Sequence, residues 1–163
     1  MTSDDFRARA KPWPKGRFFE DFKPGDTFVH HWGRTINDGD NSLFTTLTLN
    51  FNPIYFNADL ARAEGHPGVV VCPMLVFGAV FGMSVEDLSE SGGAFLGVEK
   101  LTFAKPVYPG DTLTARSEVL SCRPSSSHQD LGIVSWHTEG FVKGDQRVID
   151  FVRTNLVPKR KGS

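Results

Sequence analysis

Groups able to hold or move a proton gather in one part of this chain. The stretch LNFNPIYFNADLARAEGHPGVVVCPMLVFGAVFG, residues 49–82, sets Asn50, Asn52, Tyr55, His66 and Cys72 into a largely apolar sequence, and NDGDN just upstream adds Asp38 and Asp40. An aspartate or a histidine exchanges a proton near neutral pH and can act as general acid or base. An asparagine cannot. Its amide donates and accepts hydrogen bonds without titrating, and a phenol with an ordinary pKa near ~10 is a poor base at neutral pH. Asn50, Asn52 and Tyr55 are therefore suited to orienting water or a carbonyl, and Asp38, Asp40 and His66 are the supply of acid–base groups. Each of these three also has a plainer role: an aspartate before an apolar-periodic run caps a helix by accepting its free N–H groups, and His66 in EGHPG is a loop histidine.

Those residues need elements to place them. Lys23-Pro24-Gly25-Asp26 reads as a turn, and the alternation over residues 27–36 as a strand. Leu43, Phe44, Leu47 and Leu49 fall close to helical spacing, with Asn37 or Asp38 as N-cap. Residues 58–64 predict a short helix after Asn57, stopped by Gly65 and Pro67. VVVCPMLVFGAVFGM is too long for one strand. Pro73 suits a first helical turn, where its missing N–H leaves nothing unpaired, so a buried helix is expected over residues 73–83. Beyond residue 93 the period changes, and at least four long antiparallel strands are separated by turn clusters at Pro109-Gly110-Asp111, residues 124–130 and Lys143-Gly144-Asp145. The plan is α+β, an antiparallel sheet curled round one helix. No internal repeat is visible.

Composition narrows the partners. The 163 residues carry 18 basic and 19 acidic side chains, a net charge of −1, so no overall field attracts nucleic acid or an anionic membrane. Fourteen Phe against two Tyr and three Trp suits a dry core or an apolar tunnel. Cys72 and Cys122 lie in unlike contexts, which speaks against a disulfide. The N-terminus has no apolar signal core and no run approaches the ~20 residues of a membrane span, so a soluble, cytoplasmic protein is expected. The histidines and cysteines lack metal-ligand spacing, and GDQRV and GGAFLG lack phosphate-loop spacing, so neither metal nor cofactor is expected. Arg116, Lys105 and Arg123 read as solvated strand charges.

From GRFFEDFKPGDTF through NFNPIYFNADLARAEGHPGVVVCPMLVFG to FAKPVYPGDTLTARSEV, the chain resembles the MaoC-like hydratases, the R-specific enoyl-CoA hydratase group. The resemblance spans residues 17–158, between an N-terminal arm over residues 1–16 and a basic tail over residues 159–163, and rests on N-P-x-x-F-N-A-D-x-A together with P-V-Y-P-G-D-T-L. It implies a single hot-dog domain, a homodimer or higher homo-oligomer, and reversible addition of water to a 2-enoyl-CoA, with coenzyme A present only as part of the substrate. In the family pattern D-x-N-P-x-H the Asp and His hold the water and shuttle its protons, and a later H-G opens the buried helix with a Gly N–H that polarises the thioester carbonyl.

Carried over by position, Asn50 stands for the Asp and Tyr55 for the His, Asn52 and Pro53 match, and Cys72-Pro73 stands for H-G. The resemblance thus implies Asn50 and Tyr55 in the catalytic positions, with Asp40 and His66 as relocated acid–base candidates, and Asn52, Pro53, Cys72, Pro73 and Met74 against the substrate. Pro73 has no N–H, so the carbonyl must turn to Met74 N–H or to Asn50. Two alternatives stay open: an acyl-CoA-binding protein with little turnover, and a thioesterase, although PMLVFGAVFGM offers no carboxylate for thioester hydrolysis.

Overall fold

The computed structural model describes residues 16–161 of the chain. Of the expected arm, all but Gly16 lies outside them. Alternating residues build β1 (Thr27–Thr35), β2 (Phe95–Phe103), β3 (Thr112–Pro124), β4 (Leu131–Val142) and β5 (Gln146–Pro158), joined in one sheet of order β1-β3-β4-β5-β2. Every neighbouring pair is antiparallel. Along β3 the residues Leu113, Ala115, Ser117 and Val119 are buried while those between them face out, so one side of the sheet is dry. The expected first strand ends one residue early, at Thr35.

Three helices lie between β1 and β2: α1 (Asp38–Leu47), α2 (Ala58–Ala63) and α3 (Pro73–Leu88). The cap of α1 is Asn37, whose side chain accepts from Asp40 N–H at 2.9 Å while Asp40 Oδ2 accepts from Asn37 N–H at 3.0 Å. This reciprocal box satisfies two N–H groups that the first turn would otherwise leave free. Leu49 does not continue the helix as its spacing suggested. It adopts φ 53°, a left-handed conformation just beyond Thr48, which turns the chain out of α1. Asn57 caps α2 by accepting from Asp59 and Leu60 N–H.

The helix α3 runs five residues past the expected end at 83, and the reason is tertiary. Its buried stripe is Val76, Val80, Ser84, Asp87 and Leu88, so the polar residues that look like an exit from the apolar run face the sheet. Asp87 Oδ2 lies 2.6 Å from His30 Nδ1, His30 Nε2 lies 2.9 Å from Ser117 Oγ, and Ser117 Oγ lies 2.8 Å from Thr138 Oγ1. Arg153, fully buried, donates to Ser84 Oγ and Ser89 Oγ at 2.8 Å each and rests 4.6 Å from the Phe81 ring centre. Burial lowers its pKa to about 10, so it stays charged at neutral pH. This polar belt lies between two apolar clusters, one around Val76, Val80, Ile149 and Phe151 and one around Phe22, Leu88, Val134 and Trp136.

The tail begins tethered: Lys159 N–H donates to Asp130 O at 2.9 Å, and Arg160 pairs with Asp21 at 2.8 Å. Over Gly140 the helix α3 packs tightly on the sheet: an added Cβ would fall 2.6 Å from Ile149 Cγ2 and 2.7 Å from Val80 Cγ2. At Gly82, on the outer side of α3, it would meet nothing within 4 Å. Gly140→Ala should therefore lower the unfolding free energy by about 1–3 kcal/mol through overpacking. Gly82→Ala should raise it by up to ~1 kcal/mol through helix propensity. Urea-unfolding midpoints of the two variants check both signs.

Candidate functional site

The loop between α1 and α2 has its shape dictated by asparagines and a proline. Asn50 N–H donates to Thr45 O at 2.9 Å and closes the end of α1. Pro53 then opens a short 3₁₀ turn, Pro53–Tyr55, where its fixed φ is already suitable, and the Asn52 side chain caps that turn by accepting from Ile54 N–H at 3.3 Å. Val70 N–H donates to Ile54 O at 2.9 Å, which docks the segment leading to α3 against this turn.

At the start of α3 the predicted residues meet. Asn50 Nδ2 donates to Cys72 Sγ at 3.3 Å. Tyr55 lies close enough to Cys72 and Asn52 for both to act on its phenol: burial raises its pKa most, Cys72 raises it further, and the Asn52 side-chain hydrogen bond opposes them. Cys72 is fully buried, whereas Met74 is 47% exposed. The backbone donors of this first turn are nearly all occupied. Pro73 has none, Leu75 and Val76 N–H both donate to Cys72 O at 2.9 and 3.2 Å, and Cys72 N–H donates to Asn41 Oδ1 at 2.8 Å. Met74 N–H has no intramolecular partner among the described residues. It is a free donor at the positive end of a sixteen-residue helix, the kind of group that stabilises charge on a carbonyl oxygen.

Asp38, Asp40 and His66 do not join this cluster. Asp40 caps α1 and also accepts from Arg34 at 3.3 Å. His66 Nδ1 is 3.0 Å from the Tyr108 hydroxyl. Tyr108 lines a separate polar cavity of about 500 Å³ together with Asp38, Arg62, Asp111 and Lys143. A second cavity, about 450 Å³ and largely apolar, runs between α1 and the outer side of α3, walled by Leu43, Phe44, Leu47, Leu75 and Ala79, with Arg34 and Asp40 as its charged lining.

Asn41 escaped the sequence reading. It is 1% exposed, and besides accepting from Cys72 N–H it donates through Nδ2 to Tyr55 O at 2.8 Å and Val70 O at 3.1 Å. The available signal was slight: Asn41 and Thr45, four residues apart, form the buried side of α1.

A five-stranded antiparallel sheet curled round one long helix, with an N-P turn docked on that helix's first turn, defines a hot-dog protein of the MaoC-like class. Within it the chain belongs to the mesaconyl-CoA hydratase family, whose model matches residues 2–163. Mesaconyl-CoA hydratase of Haloarcula marismortui is 38% identical over 161 residues, covering 98% of this chain and 45% of the relative. The crystal structure of a MaoC domain protein dehydratase from Chloroflexus aurantiacus is similar with a TM-score of 0.86 and 37% identity, over 93% of this chain and 43% of that one. A Mycobacterium tuberculosis protein described as a double hot-dog fold is similar with a TM-score of 0.82 and 26% identity, over 91% of this chain and 46% of that one. The chain thus spans slightly less than half the length of these relatives.

The position of Tyr55 has a spectroscopic consequence. The chain has two tyrosines, Tyr55 and Tyr108. Because burial disfavours the phenolate, Tyr55 should ionise above the ordinary ~10. In an alkaline absorbance titration, Tyr55→Phe should remove the component above that value. Loss of a component at or below it would mean that Tyr55 is solvated.

Proposed function

We propose that this chain is the thioester-binding unit of an acyl-CoA hydratase/dehydratase, acting on a short 2-enoyl-CoA of the mesaconyl kind. The observation that carries the reading is the free Met74 N–H two residues after Cys72, the residue that Asn50 and Tyr55 adjoin. In this reading the thioester oxygen accepts from Met74 N–H, and water sits between the Asn50 amide and the Tyr55 hydroxyl. The acyl group lies along the apolar groove beside α3, and coenzyme A enters only as part of the substrate.

Hydration also needs a base for water and an acid for the adjacent carbon. Asn50 does not titrate, and Tyr55 with a raised pKa keeps its proton at neutral pH. Asp40 is tied into its cap and His66 to Tyr108. The proton-transfer groups therefore come from a second hot-dog unit, as the doubled length of the relatives supports. Its seat is the open side of the fold: Met74, Gly78 and Gly82 along the outer side of α3, and edge strand β2 with Phe95 and Leu96 each 51% exposed. A homodimer or higher assembly of this chain, in the cytoplasm, would cover that seat for thioester binding, but because it repeats Asn50 and Tyr55, fast hydration needs a hot-dog partner of different sequence.

The test follows loss of the conjugated enoyl-thioester absorbance with mesaconyl-CoA and a short straight-chain enoyl-CoA. The chain by itself should bind these thioesters but hydrate them slowly, and Asn50→Asp with Tyr55→His should raise the rate ~10²–10⁴-fold, the usual worth of positioned acid–base groups. Free thiol released with the double bond intact would make the protein a thioesterase. A fast wild type that the double variant does not improve, and that Asp40→Asn abolishes, would return proton transfer to Asp40. Absence of thioester binding in both proteins would overturn the reading.

A further inference from the structure

The geometry points to Asn41 as a positioning residue whose amide locks the loop bearing Asn50 and Tyr55 to the first turn of α3 and leaves Met74 N–H as the donor offered to the carbonyl. The inference rests on the thioester reading of that turn. Both N–H donors and one lone pair of the amide oxygen are engaged, and each partner is a backbone group outside regular helix or sheet pairing: Tyr55 O, Val70 O and Cys72 N–H. An asparagine suits this set because it presents two N–H donors and one acceptor on a single short plane. Aspartate would keep the acceptor but set a carboxylate against two carbonyl oxygens. Leucine would fill the space and satisfy none of the three, and an unsatisfied buried polar group is costly.

Occupation of Cys72 N–H also selects the donor. Without Asn41, Cys72 N–H would be released two residues before Met74, and a carbonyl could settle there, away from the water held by Asn50 and Tyr55. The backbone that carries Asn41 is itself held firm, since Thr45 Oγ1 donates to Asn41 O at 3.0 Å. The amide thus joins three segments that are separate in sequence: α1, the 3₁₀ turn, and the run Val70–Cys72 into α3. None of the three can shift without breaking a bond to it.

Two readouts separate positioning from plain stabilisation. In a Cys122→Ser background the alkylation rate of Cys72, which is fully buried, reports opening of the loop from α3. Asn41→Asp and Asn41→Leu should raise that rate ~10-fold or more at temperatures where both remain folded. Thr138→Val, which alters an equally buried side chain in the polar belt, should leave it near the wild-type value after correction for global stability. In parallel, the hydration rate of the Asn50→Asp, Tyr55→His form should fall ~10²-fold on adding Asn41→Leu, chiefly in kcat, as expected when reacting groups are displaced by about 1 Å.

Faster labelling together with the kcat loss supports the assignment. Labelling that follows global stability equally in the Thr138→Val control overturns it, and so does faster labelling with turnover unchanged. Failure of the parent forms to bind any thioester would show instead, before Asn41 is touched, that the functional reading is wrong, and the assignment falls with it.

Discussion

The fold depends on seating a sixteen-residue helix in the hollow of a curled sheet when that helix carries polar residues on its buried side. Burial of Val76, Val80 and Leu88 draws α3 in, and Gly140 lets it approach. Ser84 and Asp87 would oppose that burial if left without partners, since a buried polar group without a hydrogen bond costs more than most single apolar contacts gain. The sheet supplies them. His30, Ser117 and Thr138 continue the chain from Asp87, and Arg153 reaches Ser84 and Ser89 while stacking against Phe81. A fully buried arginine with no carboxylate within salt-bridge distance among the described residues depends on those hydroxyls and ring faces to replace water.

The same helix sets the chemistry at its other end. A first turn has few unpaired N–H groups to offer, and here proline, an internal 3₁₀ bond and the Asn41 amide remove all but one. What remains is directional: a single donor two residues after Cys72, which two neutral side chains adjoin. Such a turn suits binding and orientation rather than proton transfer, in keeping with the proposed role of Asn50 and Tyr55, neither of which is a base at neutral pH.

The open side of the molecule has the same origin. The sheet covers one flank of α3, and the opposite flank presents the exposed Met74 together with Gly78 and Gly82, which have no side chains to cover it. Among the described residues the sheet edges at β1 and β2 are unpaired, with Val29 and Trp32 exposed on one and Phe95 and Leu96 on the other. A fold of this shape buries more apolar area when a second unit lies against it, and the relatives that are twice as long are consistent with that pressure.

By itself the sequence determined the α+β plan, the antiparallel strands, a cap at Asn37 or Asp38 and one at Asn57, the helix start at Pro73, and the meeting of Asn50, Tyr55 and Cys72. These follow from period, turn chemistry and short-range hydrogen bonding, which act within a few residues and leave local marks, and from an N-P motif whose order was recognisable. Only the tertiary structure decided that α3 runs to Leu88, that Leu49 leaves the helix, that Asp40 and His66 are engaged elsewhere, and that Asn41 is the link. His30 meets Asp87 across 57 positions and Asn41 meets Cys72 across 31. A polar residue on a buried helix face carries no local sign of whether its partner will be solvent or a backbone group on another segment, because that partner exists only after the chain has closed.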